Sequence, residues 1–151
     1  MSDTIDDVAL RRWGGGDLAV LRMLNNAELR PEPDGRVFRR HGRYLDGWRD
    51  RTSFNHVVTR RGEPIGVVGY GYALRLGVVV YEIGWRMLPG ADATAAVREL
   101  LRHAAAHPIP RFVIATIHPD DRVAARVCRD SGFEWLGEED GVVVWRYDLA
   151  A

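Results

Sequence analysis

Val78-Val79-Val80-Tyr81-Glu82-Ile83-Gly84-Trp85-Arg86-Met87 is a β-rich run, Thr94 to Ala106 a helical one, and Arg111-Phe112-Val113-Ile114-Ala115-Thr116-Ile117 β-rich again. In the middle segment Val97, Leu100, Leu101 and Ala104 fall on one helical face, and Pro108 stops the helix. A strand reached through a helical crossover can lie parallel to the strand before it. The last run is apolar enough to be covered on both faces. This stretch therefore predicts a strand–helix–strand unit with one parallel pair, inside a sheet that helices cover.

Toward the amino terminus, Phe54 to Thr59 and Ile65 to Ala73 are β-rich runs joined by Arg60-Arg61-Gly62-Glu63-Pro64, and Arg75-Leu76-Gly77 turns the chain into Val78. That predicts a three-stranded antiparallel meander. Earlier still, Val37, His41, Tyr44, Leu45 and Trp48 share one face of a helix. The break Pro31-Glu32-Pro33-Asp34-Gly35 separates it from a helix carrying Leu18, Leu21 and Leu24, which Asp17 can cap. Val8 to Trp13 reads as a first strand, stopped by Gly14-Gly15-Gly16. Toward the carboxyl terminus, Asp120 to Ser131 reads as a helix with Val123, Ala124, Val127 and Cys128 inward. Phe133–Gly137 and Val142–Leu149 then close a hairpin around Glu138-Glu139-Asp140-Gly141. The order is β-α-α-β-β-β-α-β-α-β-β, an α/β (α+β) chain with a mixed, mostly antiparallel seven-stranded sheet and about four helices. No repeat or linker divides it, so residues 1–151 read as a single domain.

Twenty-one basic residues balance twenty-one acidic ones, so no global field draws the chain to nucleic acid or anionic lipid. Every basic residue is arginine, which excludes a lysine Schiff base or lysine general base. Cys128 is the single cysteine, and no apolar run approaches the roughly 20 residues that cross a bilayer. The start Met1-Ser2-Asp3-Thr4-Ile5-Asp6-Asp7 lacks the pattern of a signal peptide, so a cytoplasmic location is expected. His41, His56, His103 and His107 show no metal-ligand spacing, and no metal is expected. Gly66-Val67-Val68-Gly69-Tyr70-Gly71 lies inside a strand, where its glycines admit a bulge or a close ligand. Arg36, Arg39, Arg40 and Arg43 form a stripe along the second helix, either a solvated face or a surface for an acidic substrate or the phosphates of a tRNA. Trp48, Tyr70, Tyr72 and Trp85 could line an acceptor pocket, and core packing explains them equally well.

The element order, with Tyr81-Glu82-Ile83-Gly84-Trp85, Leu88-Pro89 and Cys128-Arg129-Asp130-Ser131-Gly132-Phe133 at matching stations, resembles the GNAT acetyltransferases. Within that family it is most similar to the branch with the ribosomal-protein N-terminal acetylases. The resemblance spans Leu10 to Leu149 and rests on order and spacing rather than on one specific motif. It implies acetyl-CoA as co-substrate and direct attack of an amine on the thioester. It also implies that backbone around Met87 and Leu88 holds the acyl-pantetheine, and that Glu82 accepts the amine's proton. On the residues alone, mid-strand Glu82 is expected to be buried, as a catalytic base or in an ion pair with an arginine. His118, just beyond the strand ending at Ile117, is a second acid–base candidate or a plain loop histidine.

Three stations depart from the family's pattern. The pyrophosphate loop, normally Arg/Gln-x-x-Gly-x-Gly/Ala, is shortened to Gly90, Ala91 and Asp92 before Ala93-Thr94. If Asp92 caps the next helix, its carboxylate occupies the place of a phosphate. Asp121 and Ala124 stand where Asn and Ser usually contact the pantetheine, and Cys128 stands where a tyrosine often protonates the leaving thiolate. The resulting candidates are Glu82, His118 and Cys128 for catalysis and Met87, Leu88, Gly90, Ala91 and Asp121 for the cofactor. The acceptor is expected to be a small-molecule or N-terminal amine, and a homodimer stays open. Two other functions remain: a GNAT-fold protein that has lost CoA and uses the cleft for another small molecule, and a non-catalytic partner subunit.

Overall fold

The computed structural model describes residues 7–107 and 109–150. The amino-terminal segment read for a leader, Pro108 as helix terminator and the final residue of the domain lie outside the described residues. The elements are β1 Val8–Arg12, a 3-10 turn Gly15–Asp17, α1 Leu18–Asn26, α2 Asp34–Asp50, β2 Ser53–Arg60, β3 Glu63–Arg75, β4 Val78–Met87, α3 Thr94–Ala105, β5 Phe112–Ile117, α4 Arg122–Asp130, β6 Glu134–Glu139 and β7 Val142–Asp148. One seven-stranded sheet runs β1-β2-β3-β4-β5-β7-β6. Among the described residues its only parallel pair is β4 with β5, the one a helix connects.

Three hairpin turns came out tighter than the sequence suggested. Arg61-Gly62, Leu76-Gly77 and Asp140-Gly141 each hold two successive positive φ angles, and the flanking pairs Arg60↔Glu63, Arg75↔Val78 and Glu139↔Val142 close directly on them. This is the two-residue mirror turn whose twist matches that of the strands. Strand pairing therefore runs up to each X-Gly pair, and β3 and β6 extend past the ends read from hydrophobicity. The β3–β4 tip carries exposed Leu74, Leu76, Val78 and Val79.

Helices cover the sheet on both sides. On one face Val97, Leu100, Leu101 and Ala104 of α3, with Ala124, Val127 and Cys128 of α4, bury against Val68, Tyr81, Ile83, Val113 and Ala115. On the other, Leu21 and Leu24 of α1, Val37 of α2 and Trp13 pack on Val57 and Val67. Each fully buried side chain of this size contributes about 1.5–3 kcal/mol. Trp13 Nε1 donates to His41 Nδ1 at 3.0 Å, tying the end of β1 to α2. No helix of the described residues is long and apolar enough to cross a membrane.

Two local readings are corrected. Val123 is 74% exposed, because α4 begins at Arg122 and the residues facing the sheet are centred on Ala124 and Cys128, about a quarter turn away. Asp17 precedes α1 but makes no side-chain cap. Its buried carboxylate instead turns back to Arg11, Nη1 and Nη2 each at 3.0 Å, and to the Gly14 amide at 2.7 Å. A bidentate guanidinium is the stronger partner.

Candidate functional site

The β4 strand is the axis of the site. Directly opposed residues of antiparallel neighbours point to the same face. Val67↔Arg86, Gly69↔Gly84 and Gly71↔Glu82 are such pairs, and Val67 belongs to the core under α1 and α2. Glu82, Gly84 and Arg86 therefore look out on the α1–α2 side, whereas Tyr81 and Ile83 point to α3 and α4. Because α1 and α2 lie over β2 and β3, that side of β4 stays open.

This corrects the expected burial of Glu82: the residue is exposed, and among the described residues it has no ion-pair partner. Arg86, two same-face positions further on, turns to Glu28 at 3.3 Å. The open side forms a cavity of about 360 Å³, with Glu82 and Arg86 at the β4 wall, Ser53 and Asn55 from β2, and Tyr44 from α2. Gly69 belongs to its floor, where a Cβ would strike the Asn55 side chain. Gly84, by contrast, faces open space, with nothing within 4 Å of where a Cβ would stand. Tyr70, Tyr72 and Trp85 line the same cavity, as the sequence allowed. Trp48 instead closes the edge of β2, donating from Nε1 to the Asn55 carbonyl at 2.8 Å.

Beyond this cavity β4 parts from β5. Their ladder consists of Tyr81↔Val113 and Glu82↔Ile114 alone. From Ile83 to Met87 the backbone groups directed toward β5 are free of it. Glu82 therefore stands at the fork, beside the last paired position. His118 lies beyond the end of β5, its side chain 69% exposed, with Nδ1 accepting the Asp120 amide at 3.1 Å. It lines none of the cavities described here.

The loop after β4 is largely self-satisfied. The Leu88 amide donates to the Ile65 carbonyl at 2.9 Å and the Ala91 amide to the Leu88 carbonyl at 3.0 Å, across a turn that Gly90 makes with φ of 84°. Asp92 Oδ1 accepts from the Thr94 amide at 2.9 Å and from Thr94 Oγ1 at 2.8 Å, so a carboxylate does sit on the first amide of α3. The next first-turn amides, those of Ala95 and Ala96, have no partner within the helix. A larger cavity of about 730 Å³ runs along this end of α3, with Arg60, Arg98 and Arg102 set against Asp92, Glu99 and Asp130. Asp121 caps α4, its Oδ1 accepting the Ala124 amide at 3.0 Å. Cys128 is fully buried, and burial, reinforced by the charge of Asp121, pushes its thiol up to about 12.

Glu82 stands at the fork and Met87 ends the ladder-free stretch of β4, with Leu88, Gly90 and Ala91 in the loop that follows and Asp121 at the start of α4; His118 stands apart and Cys128 is in the core. Sequence reading passed over Tyr44, Ser53, Asn55 and Arg86 in the cavity wall. The available signal was the set Gly69, Gly71 and Gly84, which falls on one face of two adjacent strands. The arginine stripe of α2 is interrupted, since Arg40 Nη2 binds both oxygens of Glu32, at 2.8 and 2.9 Å.

The comparisons agree with this architecture. A family profile described as Acetyltransferase (GNAT) domain matches residues 7–134. An acetyltransferase from Agrobacterium tumefaciens superposes with a TM-score of 0.76 at 18% identity, covering 93% of this chain and 90% of the other. A Salmonella typhimurium acetyl transferase that modifies the N-terminal serine of ribosomal protein L7/L12 gives 0.77 at 14%, covering 94% and 95%. The aminoglycoside acetyltransferase AAC(6')-Ib, in complex with coenzyme A, gives 0.75 at 19%, covering 93% and 94%. Curated protein sequences yield no match. At these identities the solved structures bear on the fold alone. The profile covers most of the chain, and with it the chain belongs to the GNAT acetyltransferase family.

Proposed function

We propose that the chain is an acetyl-CoA-dependent N-acetyltransferase whose acceptor amine enters the cavity on the α1–α2 side and is deprotonated by Glu82. The observation that carries this reading is the position of Glu82, an exposed carboxylate on the cavity wall at the last paired residue before β4 and β5 diverge. A base must lie within reach of the nitrogen it serves, directly or through one water, and this is the carboxylate that the fork brings to an open cavity.

The fork fits a pantetheine arm, because ladder-free strand backbone from Ile83 to Met87 offers hydrogen bonds without displacing a neighbour. The amide of Ala95, with Arg98 beside it, is the group that would meet the phosphates. Acetyl-CoA, when bound, supplies a thioester whose carbonyl carbon an amine can attack. The chain itself holds the amine at the fork, takes its proton on Glu82, and offers Asn55 and Ser53 to polar groups of the acceptor. Cys128 is enclosed by core side chains, so its contribution is packing. With Cys128 in the core and His118 apart from the cavity, solvent is left as the route for the proton that the departing sulfur requires.

A second reading, a cleft that serves a small molecule other than CoA, draws on Asp92, whose charge opposes a phosphate at α3. Steady-state kinetics of Glu82→Gln decide the first reading. The substitution is expected to lower kcat by about 10²–10⁴-fold, the usual contribution of a positioned base, while acetyl-CoA still binds. Retention of full kcat would remove Glu82 from the mechanism.

A further inference from the structure

The end of the acceptor cavity away from Glu82 has one cation in its wall and others close by. Arg86 forms its wall, and Tyr44, which also lines it, lies in the field of Arg40, Arg43 and Arg86. Arg36 joins Arg40 and Arg86 around Glu32. Against these four guanidinium groups stand two carboxylates, Glu28 and Glu32. The Arg86–Glu28 pair is a 3.3 Å contact to a half-exposed glutamate, the kind that exchanges at little cost. Arg40 adds its charge without lining the cavity. Its Nη2 is held by Glu32, and its buried Nη1 has no hydrogen-bond partner among the described residues.

Charge therefore changes sign along the cavity. Glu82 stands at one end, and four residues along the same strand face stands Arg86, about 13 Å away at the rise of a β-strand. Between them lies Gly84, with open space above it. Resting on the reading that this cavity receives the acceptor, we propose that the acceptor is an amine carrying an anionic group, carboxylate or phosphate, at its far end. The amine meets Glu82, the chain of the acceptor crosses Gly84, and the anion lies on Arg86, with the charge of Arg40 reinforcing the field there. The same charge layout disfavours a polycationic acceptor, whose second ammonium would meet guanidinium groups.

A series of hexyl amines differing only at the far end tests this: aminohexanoate, aminohexyl phosphate, hexylamine and diaminohexane, each assayed for turnover with acetyl-CoA and, separately, for binding by calorimetry without it. At least one anionic amine is expected to exceed hexylamine by tenfold or more in kcat/KM and in affinity, with diaminohexane below hexylamine. Comparison of the two anionic arms shows whether carboxylate or phosphate is preferred. In Arg40→Gln and Arg86→Gln the ratio of anionic to neutral amine should fall toward one. Anionic preference in binding without turnover of any amine would support the inference while defeating the transferase reading. Equal or better use of hexylamine or diaminohexane, or a preference that both variants retain, would overturn the inference and leave the transferase reading standing. Absence of both binding and turnover for the anionic amines would also overturn it.

Discussion

Asp92 offers a perturbation whose two effects have opposite signs. Its Oδ1 accepts both the amide and the hydroxyl of Thr94, so it steadies the start of α3 while placing a negative charge where a phosphate would approach. Asp92→Ala removes both roles, and loss of a side-chain acceptor at a helix start costs about 0.5–2 kcal/mol. For a chain of this length that lowers Tm by about 2–4 °C per kcal/mol. Asp92→Asn keeps the acceptor oxygen and removes only the charge. Taking about 5 Å between that charge and a phosphate on the Ala95 amide, the repulsion is about 0.8 kcal/mol in water and about 3 kcal/mol at an effective dielectric of 20. Asp92 is exposed, so the lower value applies, and about fourfold tighter CoA is expected at low salt. Calorimetric titration of coenzyme A beside thermal melting reads both effects. The alanine variant should melt lower and bind more tightly, and the asparagine variant should melt as the native protein does and also bind more tightly. If neither variant gains affinity, the phosphates do not approach the start of α3, and this assignment of the cofactor's charged end is refuted.

Other outcomes follow from the same geometry. Gly84→Leu should fold normally, since its side chain enters open space, yet raise the acceptor KM at least tenfold by filling the cavity; an unchanged KM would move the acceptor elsewhere. Cys128 in the native protein should resist thiol reagents at pH 8 and react only on unfolding, because burial keeps it protonated; rapid native labelling would contradict its place in the core.

Much of the fold was legible because its signals are local and repeated. The stripe Val97, Leu100, Leu101 and Ala104 and the apolar run 112–117 each point to one element, and a helix between two strands points to one parallel pair. The turns were blurred because Arg60–Pro64 and Glu138–Gly141 look polar throughout. Only backbone twist selects the two residues that carry positive φ. Asp17 was misread for a related reason: a cap is a local inference, and the competing Arg11 reaches it from a neighbouring element.

The site was less legible than the fold. Glu82 was found through resemblance, but its burial was misjudged, because sequence shows that helices cover a sheet and not how far across they reach. The cavity's far wall joins Tyr44, Asn55 and Arg86 from three elements, and no spacing in the chain announces that meeting. Likewise His56 and His103, distant in sequence, stand with ring centroids 4.9 Å apart beneath α3, where Tyr70 Oη lies 2.8 Å from His103 Nδ1.

The central claim, that an amine in the Glu82 cavity takes an acetyl group delivered through the β4–β5 fork, is met most directly by release of the CoA thiol on mixing native protein, acetyl-CoA and the hexyl amine series. The account predicts amine-dependent release with an equal amount of acetylated amine formed, both reduced by about 10²-fold or more in Glu82→Gln. Release that does not depend on amine, or none at all with acetyl-CoA present in excess, would contradict it.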